Sequence, residues 1–490
     1  MTNRPNVLFI TVDQWPAHLM GGAGHPAVET PTLDTLARSG TRFDACYSEC
    51  PICIPARRSI MTGMTARGHG DRDFQPSLPM PEGVPTLAGV FAGAGYQAFA
   101  TGKLHVYPMR DRIGFHDVLS AEEGRSHLGG PDDYEIALAD RGHAGAQFLH
   151  GMSNNEYSWT PWHLEDDLHV TSWTARMAAR QIRRRDPTRP GFWYVSFTHP
   201  HPPLAPLASY VQRYAGRAVP QPAAAEWQDN APWVLRSMQN RFAPMTAEQM
   251  ADMRRAYYAL ATHIDHQLRL VIGALREEGI LDNTIILFTA DHGEMLGDFG
   301  IFGKRVMFDA SARVPLILVD TKASGRIARD ATSDALVGLQ DIMPTLLDLA
   351  GIDCPGTVEG RSVLADRQRE EFYGECQSGA RAVRMLRSRT HKLIWYPAGN
   401  RLQLFDMIAD PQELHDLANC PEHADVLGQL SRALVDHLYG EDQDLIAGGC
   451  LGGLPEPELS TPDNRGLSGQ RGPHFPQPPS SDPSAAVGAS

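Results

Sequence analysis

Asn6-Val7-Leu8-Phe9-Ile10-Thr11-Val12, closed by Asp13, is a short run of β-branched and apolar residues that does not alternate with polar ones. A strand with one wet face alternates, whereas a strand apolar on both faces fits a parallel sheet covered on each side by helices. Asp13 then stands at the strand's carboxyl end, the edge where open α/β sheets bind ligands. Three further stretches repeat this arrangement. Tyr96-Gln97-Ala98-Phe99-Ala100 leads into Thr101-Gly102-Lys103, Phe192-Trp193-Tyr194-Val195-Ser196-Phe197 into Thr198-His199-Pro200-His201, and Thr284 to Thr289 into Ala290-Asp291-His292-Gly293.

Helical patterns lie between these runs. Thr30 stands as the expected cap of a helix with Pro31 in its first turn and Gly40 as its stop, the usual placement of these residue types. Thr86 to Ala94 forms a second helix, and the clearest one spans Thr246 to Glu278 before Gly279, a residue suited to end a helix. Gln340 to Leu349 reads as helix, Val383 to Arg387, Lys392 to Tyr396 and Gln403-Leu404-Phe405 as an antiparallel sheet, and Ala424 to Leu438 as a last helix. The expected fold class is α/β: a large mixed, mostly parallel sheet flanked by helices over residues 1–375, with a smaller antiparallel subdomain over 376–455 packed on it. Residues 456–490 are rich in Pro, Gly, Ser and Asp and read as an extended or disordered arm.

Among 490 residues, 44 basic side chains against 58 acidic ones give a net charge of -14, a sign that repels nucleic acid and anionic membrane. Neither is an expected partner. No apolar run reaches the ~18 residues of a membrane span, and Val7 to Val12 is too short, and too quickly closed by Asp13, for a signal peptide. The cysteines number seven, at 46, 50, 53, 354, 376, 420 and 450, an odd and scattered set unlike a secreted disulfide framework. A reducing, cytoplasmic compartment is expected.

The stretch Cys50-Pro51-Ile52-Cys53-Ile54-Pro55-Ala56-Arg57-Arg58-Ser59-Ile60-Met61-Thr62-Gly63 admits three readings. Cys50 and Cys53 form a C-x-x-C pair suited to redox exchange or half a zinc site, although no second pair accompanies it. Cys53 alone suits a small buried hydrophobe. Thirdly, Cys53, Pro55, Arg57, Thr62 and Gly63 fit C-x-P-x-R-x-x-x-x-T-G. This signature resembles that of the type I sulfatases, a branch of the alkaline phosphatase superfamily. Pro55 and the helix formers after it place residue 53 at a helix N-terminus, where free N–H groups favour an anion. Arg57, one turn on, is placed to reach the nucleophile or the ester oxygens.

The resemblance implies an alkaline phosphatase-like sandwich and a formylglycine made by oxidation of Cys53, whose aldehyde hydrate attacks sulfur. It also implies one divalent cation held by Asp13, Asp291, His292 and the modified residue 53. Gly102-Lys103-Leu104-His105 is similar to the family's G-K-x-H, Pro200-His201-Pro202-Pro203 to its P-H-x-P, and Gly303-Lys304 to its later lysine. By that likeness Lys103 and Lys304 bind sulfuryl oxygens, His105 contacts the nucleophile and His201 assists the leaving group. Gln14 and His199 are further substrate candidates. A late Asp406-Met407-Ile408-Ala409-Asp410-Pro411-Gln412-Glu413 resembles a C-terminal element of the family, so the likeness runs from Asn6 to about Asp416.

Two positions depart from the commonest sulfatase pattern. Asp13-Gln14 and Asp291-His292 stand where Asp-Asp and Asp-Asn are usual, and look like the subgroup of phosphonate monoester hydrolases and choline sulfatases. A histidine brings nitrogen into the ligand set, which tolerates Mn²⁺ better than an all-oxygen calcium site would, and Mn²⁺ or Ca²⁺ is the expected ion. The expected function is hydrolysis of small-molecule sulfate esters, of arylsulfatase type. A phosphonate monoester hydrolase or phosphodiesterase using the same site is the rival within the class, and a redox, zinc or non-catalytic binding protein the rival outside it. A formylglycine-generating maturation enzyme and a second copy of the chain, in a homo-oligomer, are the expected protein partners.

Overall fold

The computed structural model describes residues 4–322, 325–367 and 369–461. The chain builds an eight-stranded sheet from β1 (Asn6–Asp13), β2 (Thr41–Phe43), β3 (Gln97–Gly102), β4 (Asp117–Ser120), β5 (Gly191–Pro200), β6 (Thr284–Ala290), β7 (Leu316–Asp320) and β8 (Ala331–Ser333). Their order across the sheet is β4-β3-β5-β1-β6-β7-β2-β8. The five strands from β4 to β6 are mutually parallel, and β7 runs antiparallel between β6 and β2. β1 lies at the centre with all eight residues buried, as its unbroken apolar pattern requires. Each such fully buried apolar side chain contributes about 1.5–3 kcal/mol.

Helices cover both faces. α1 (Pro31–Ser39), α4 (Val170–Arg183) and α5 (Ala247–Glu277) pack together, and α2 (Cys53–Thr62), α3 (Leu87–Gly93) and α6 (Ile342–Ala350) form a second group. α5 begins with a capping box in which Thr246 and Gln249 satisfy each other's backbone N–H groups. The expected cap of α1 differs. Thr30 accepts from Gly21 N and donates to Asp34, while the free N–H groups of Thr32 and Leu33 go to Asp265 on α5, at 3.0 and 2.8 Å. A partner helix supplies the cap that local sequence did not show.

The C-terminal sheet has the order β9 (Glu371–Cys376), β10 (Val383–Ser388), β11 (His391–Tyr396) and β12 (Arg401–Asp406), antiparallel throughout, with α7 (Ala424–His437) against it. The expected boundary at 375/376 therefore falls inside β9. A latch joins this sheet to the main body. Lys392 donates to Glu413 at 2.7 Å and also bonds Asp309, and Glu413 accepts from the Asp309 N–H at 2.7 Å. Most of the expected arm, residues 462–490, lies outside the described residues. Among those described, no helix is long and apolar enough to cross a membrane.

β3 and β5 approach most closely at Gly102. Its φ is +101°, and a Cβ there would lie 1.8 Å from the Ser196 carbonyl oxygen. Gly102→Ala combines a left-handed backbone with overpacking, and is expected to cost roughly 2–4 kcal/mol. A urea midpoint that falls at unchanged slope checks this, and an unmoved midpoint contradicts it.

Candidate active site

Five adjacent parallel strands present their carboxyl ends side by side, and every sequence-expected site residue except Cys53, Arg57 and Lys304 follows one of them. Asp13 ends β1, Lys103 and His105 follow β3, His199 and His201 lie at the end of β5, and Asp291-His292 follows β6. Pairing of Val12 with Ala290 sets Asp13 beside Asp291. Cys53 is the first residue of α2, with extended Ile52 as its cap. Helix geometry thus gives residue 53 the positive end of α2, as the signature suggested.

One ligand atom from each of Asp13, Cys53, Asp291 and His292 lies within 4.8 Å of the others, all four residues being buried. His292 Nδ1 is 3.0 Å from the Gly293 carbonyl, so it carries the proton and turns the Nε2 lone pair inward. That nitrogen is 3.1 Å from Cys53 Sγ and 3.6 Å from both Asp13 and Asp291. Two carboxylates and one imidazole suit a divalent cation. Cys50 lies outside this cluster, and burial pushes its thiol well above the ordinary value. That environment suits neither redox exchange nor zinc ligation, so the C-x-x-C reading fails.

Arg57 is placed differently from the expectation. Its Nε donates to Asp291 at 2.8 Å, one terminal nitrogen reaches Asp13 at 3.3 Å, and the other bonds the Lys103 carbonyl and Ser196 Oγ at 2.8 and 2.9 Å. These bonds make it a positioning residue for the two carboxylates. Lys103 Nζ sits 2.5 Å from Asp13 and 2.8 Å from Glu123. Burial alone would depress this ammonium, but the two carboxylates outweigh it and keep it charged. For Asp13, burial would raise the carboxyl; the charges of Lys103 and Arg57 hold it well below the usual range.

Lys304 donates to Gln14 Oε1 at 2.6 Å and lies 3.1 Å from His201 Nε2. His201 Nδ1 faces the Pro202 carbonyl at 2.6 Å and Glu123 at 3.3 Å. Burial holds this imidazole neutral despite Glu123. Cys53 feels burial and Asp13 pushing its thiol up, but Lys304, His292 and Lys103 bring it below the ordinary value. His105 is buried, and neither ring nitrogen has a hydrogen-bond partner among the described residues, so the expected contact with residue 53 is not made by the thiol form. His199 packs on His169 and bonds the His201 carbonyl; it braces the loop.

Glu123 and Glu294, with their neighbours Arg125 and Tyr157, were not singled out in the sequence, whereas Gln14 was. Glu123 joins Lys103, His201 and Arg125. Gln14, with φ +66°, gives its side-chain amide to Tyr157 and Glu294. Glu294 was findable, since it comes three residues after Asp291; Glu123 follows the half-exposed β4, whose pattern is weak.

A family model described as sulfatase matches residues 5–352. The chain belongs to the sulfatase family. Membership makes it a hydrolase of sulfuric esters. A second model, described as N-sulphoglucosamine sulphohydrolase, C-terminal, matches residues 297–439. An arylsulfatase of Clostridium perfringens is 33% identical over 91% of this chain and 97% of its own. A choline-sulfatase of Rhizobium meliloti is 29% identical over 86% and 83%. The crystal structure of the phosphonate monoester hydrolase of Agrobacterium radiobacter superposes with a TM-score of 0.76 at 24% identity, covering 88% of this chain and 95% of that one. This likeness shows a common fold.

The family implies a formylglycine and a divalent metal, and the donor set of this sulfatase fits both. Asp291→Asn is expected to lose stoichiometric metal and activity together, because the carboxylate binds the ion and offsets its charge. Metal analysis of the purified variant checks this; one equivalent retained per chain removes Asp291 from the ligand set.

Proposed function

We propose that this sulfatase hydrolyses aryl sulfate esters with a formylglycine made from Cys53 and one cation, Mn²⁺ or Ca²⁺, held by Asp13, Asp291 and His292. The supporting observation is the convergence of these side chains on residue 53, at the positive end of α2 and beside Lys304. Formylglycine supplies a hydrated aldehyde as nucleophile, and the metal would lower the charge on the sulfuryl oxygens. The remaining work falls to the chain's own groups. Lys103 and Arg57 pair with Asp13, and Arg57 with Asp291, while Lys304 offers an N–H to a sulfuryl oxygen. A preorganised donor of this kind is worth on the order of 10²–10³-fold. His201 and Lys304 stand together where a proton must reach the departing oxygen.

The second reading, hydrolysis of phosphonate monoesters or phosphodiesters, draws support from Gln14 and His292. These esters carry one negative charge, as a sulfate monoester does, so the same cations serve them. All seven cysteines are free thiols, which supports a reducing, cytoplasmic location; a formylglycine-generating enzyme is then a required partner.

Cys53→Ala is expected to abolish turnover and keep the fold, while Cys50→Ala stays active. Mass analysis of the peptide containing residue 53 from active protein should show the loss that turns CH₂SH into CHO, and an intact thiol in fully active enzyme overturns the nucleophile assignment.

His201→Ala is expected to slow esters of poor leaving groups by about 10²–10⁴-fold more than those of good ones, the usual worth of general acid catalysis, because its neutral Nε2 holds the Lys304 ammonium that supplies the proton. A series of kcat/KM values against leaving-group pKa reads this, and a uniform loss would assign His201 to binding. In the same series, a tenfold wild-type preference for phosphonate monoesters, about 1.4 kcal/mol, would favour the second reading.

A further inference from the structure

The proposed chemistry occupies the floor of a narrow cleft, and leaves its walls without a role. Cys53 and Lys304 share this cleft with Phe74, Phe242 and Phe302 and with three arginines, Arg125, Arg241 and Arg305. Phe242 and Phe302 meet edge to face at 5.5 Å between ring centres, and Tyr157 closes on both at 5.2 and 4.8 Å. They form an aromatic wall beside the nucleophile.

The arginines are not equivalent. Arg125 is paired with Glu123 at 2.6 Å, so its charge is already balanced. Arg241 and Arg305 are half-buried, and among the described residues neither has a carboxylate within 4.0 Å. Arg241 lies 5.6 Å from the centre of the Phe242 ring and Arg305 5.8 Å from that of Phe74. Burial lowers both guanidinium pKa values, that of Arg241 to about 10, and Arg305 adds to the lowering at Arg241. Asp73 opposes the effect at Arg305 from beyond ion-pair distance, and the exposed Arg381 adds further repulsion to both. Holding two half-buried, mutually repelling cations without counter-ions costs stability. In a chain of net charge -14, such a feature is explained by an anion that arrives with the ligand. The sulfuryl group already has Lys304 and the cation of the metal site.

We propose that Arg241 and Arg305 form a subsite for a second anionic group on the leaving-group side. The substrate is then an aryl sulfate whose ring lies against Phe74, Phe242 and Phe302 and carries a further acidic substituent, such as a carboxylate. Arginine's planar fork suits a carboxylate, and its stacking on the phenylalanines holds the fork in place. This assignment rests on the sulfatase reading of the cleft floor. It also sets the chain apart from the choline-sulfatase among its relatives, because guanidinium groups repel a quaternary ammonium.

The test uses full-length enzyme with its formylglycine and metal in place. The sulfate esters of 4-hydroxybenzoate and of its carboxamide are compared, each corrected for leaving-group pKa from the aryl sulfate series. Wild type is expected to prefer the carboxylate by tenfold or more in kcat/KM, with the preference shrinking as salt rises. Arg241→Gln and Arg305→Gln should each lower kcat/KM for the carboxylate at least fivefold more than for the carboxamide. No wild-type preference, or equal losses on both esters, overturns the subsite; equal losses would mean that the arginines serve the sulfuryl group. A measurement without variants stands beside it: free 4-hydroxybenzoate should inhibit wild type at least tenfold more tightly than its carboxamide, and equal inhibition overturns the proposal even if a variant fails to fold. Absence of turnover on both esters would instead sink the arylsulfatase reading, leaving the subsite to be decided by the inhibition ratio.

Discussion

Two fully buried carboxylates, Asp13 and Asp291, stand at neighbouring strand ends, and most of the surrounding structure follows from having to supply them with partners. Even at an effective dielectric constant of 20, two unit charges 4 Å apart interact by about 4 kcal/mol. Arg57 and Lys103 answer this repulsion directly. Bringing Arg57 inward fixes the docking of α2, and with it residue 53. Lys103 balances the second carboxylate and also pairs with Glu123, and Arg125 answers Glu123 in turn. Charge is thus passed outward from the strand ends to the cleft wall, each step satisfied by hydrogen bonds, which is how buried ions remain tolerable.

The C-terminal subdomain acts on the same site from behind. Glu413 binds Lys392 of β11 and the backbone of Asp309, and Asp309 ends the segment that carries Lys304. The late acidic element of the sequence therefore anchors the loop that carries Lys304. Its distance in sequence from Cys53 says nothing of its distance in consequence.

The strands of the parallel sheet and their polar ends were legible because burial on both faces leaves a run such as Val7 to Val12 with no other reading, and the carboxyl-end rule then names the residues that matter. What sequence could not give was direction. The signature specifies an arginine at 57, but only the fold turns it toward the carboxylates. Glu123 escaped because β4 is half-exposed and has no apolar run to announce it. β9 escaped because Gly374 and two glutamates weaken its pattern; a Cβ at Gly374 would come within 2.8 Å of Met385 and 3.3 Å of the Glu49 carbonyl, so close packing demands the residue that hides the strand. Gln14 owes its role to Tyr157, Glu294 and Lys304, partners 143 to 290 positions away.

The strand order bears on when Cys53 can be reached. β1 is made first yet lies between β5 and β6, so the sheet cannot close around it until residue 290 has left the ribosome. Cys53 is 3% exposed once the chain is folded, which leaves no room for an oxidising enzyme to grip its side chain. At about 5–20 residues per second, the stretch from residue 53 to β6 takes on the order of tens of seconds to emerge. That interval, set by topology and translation speed, is the period in which the nascent thiol stands open to chemistry before the walls of its own site exclude any catalyst but itself.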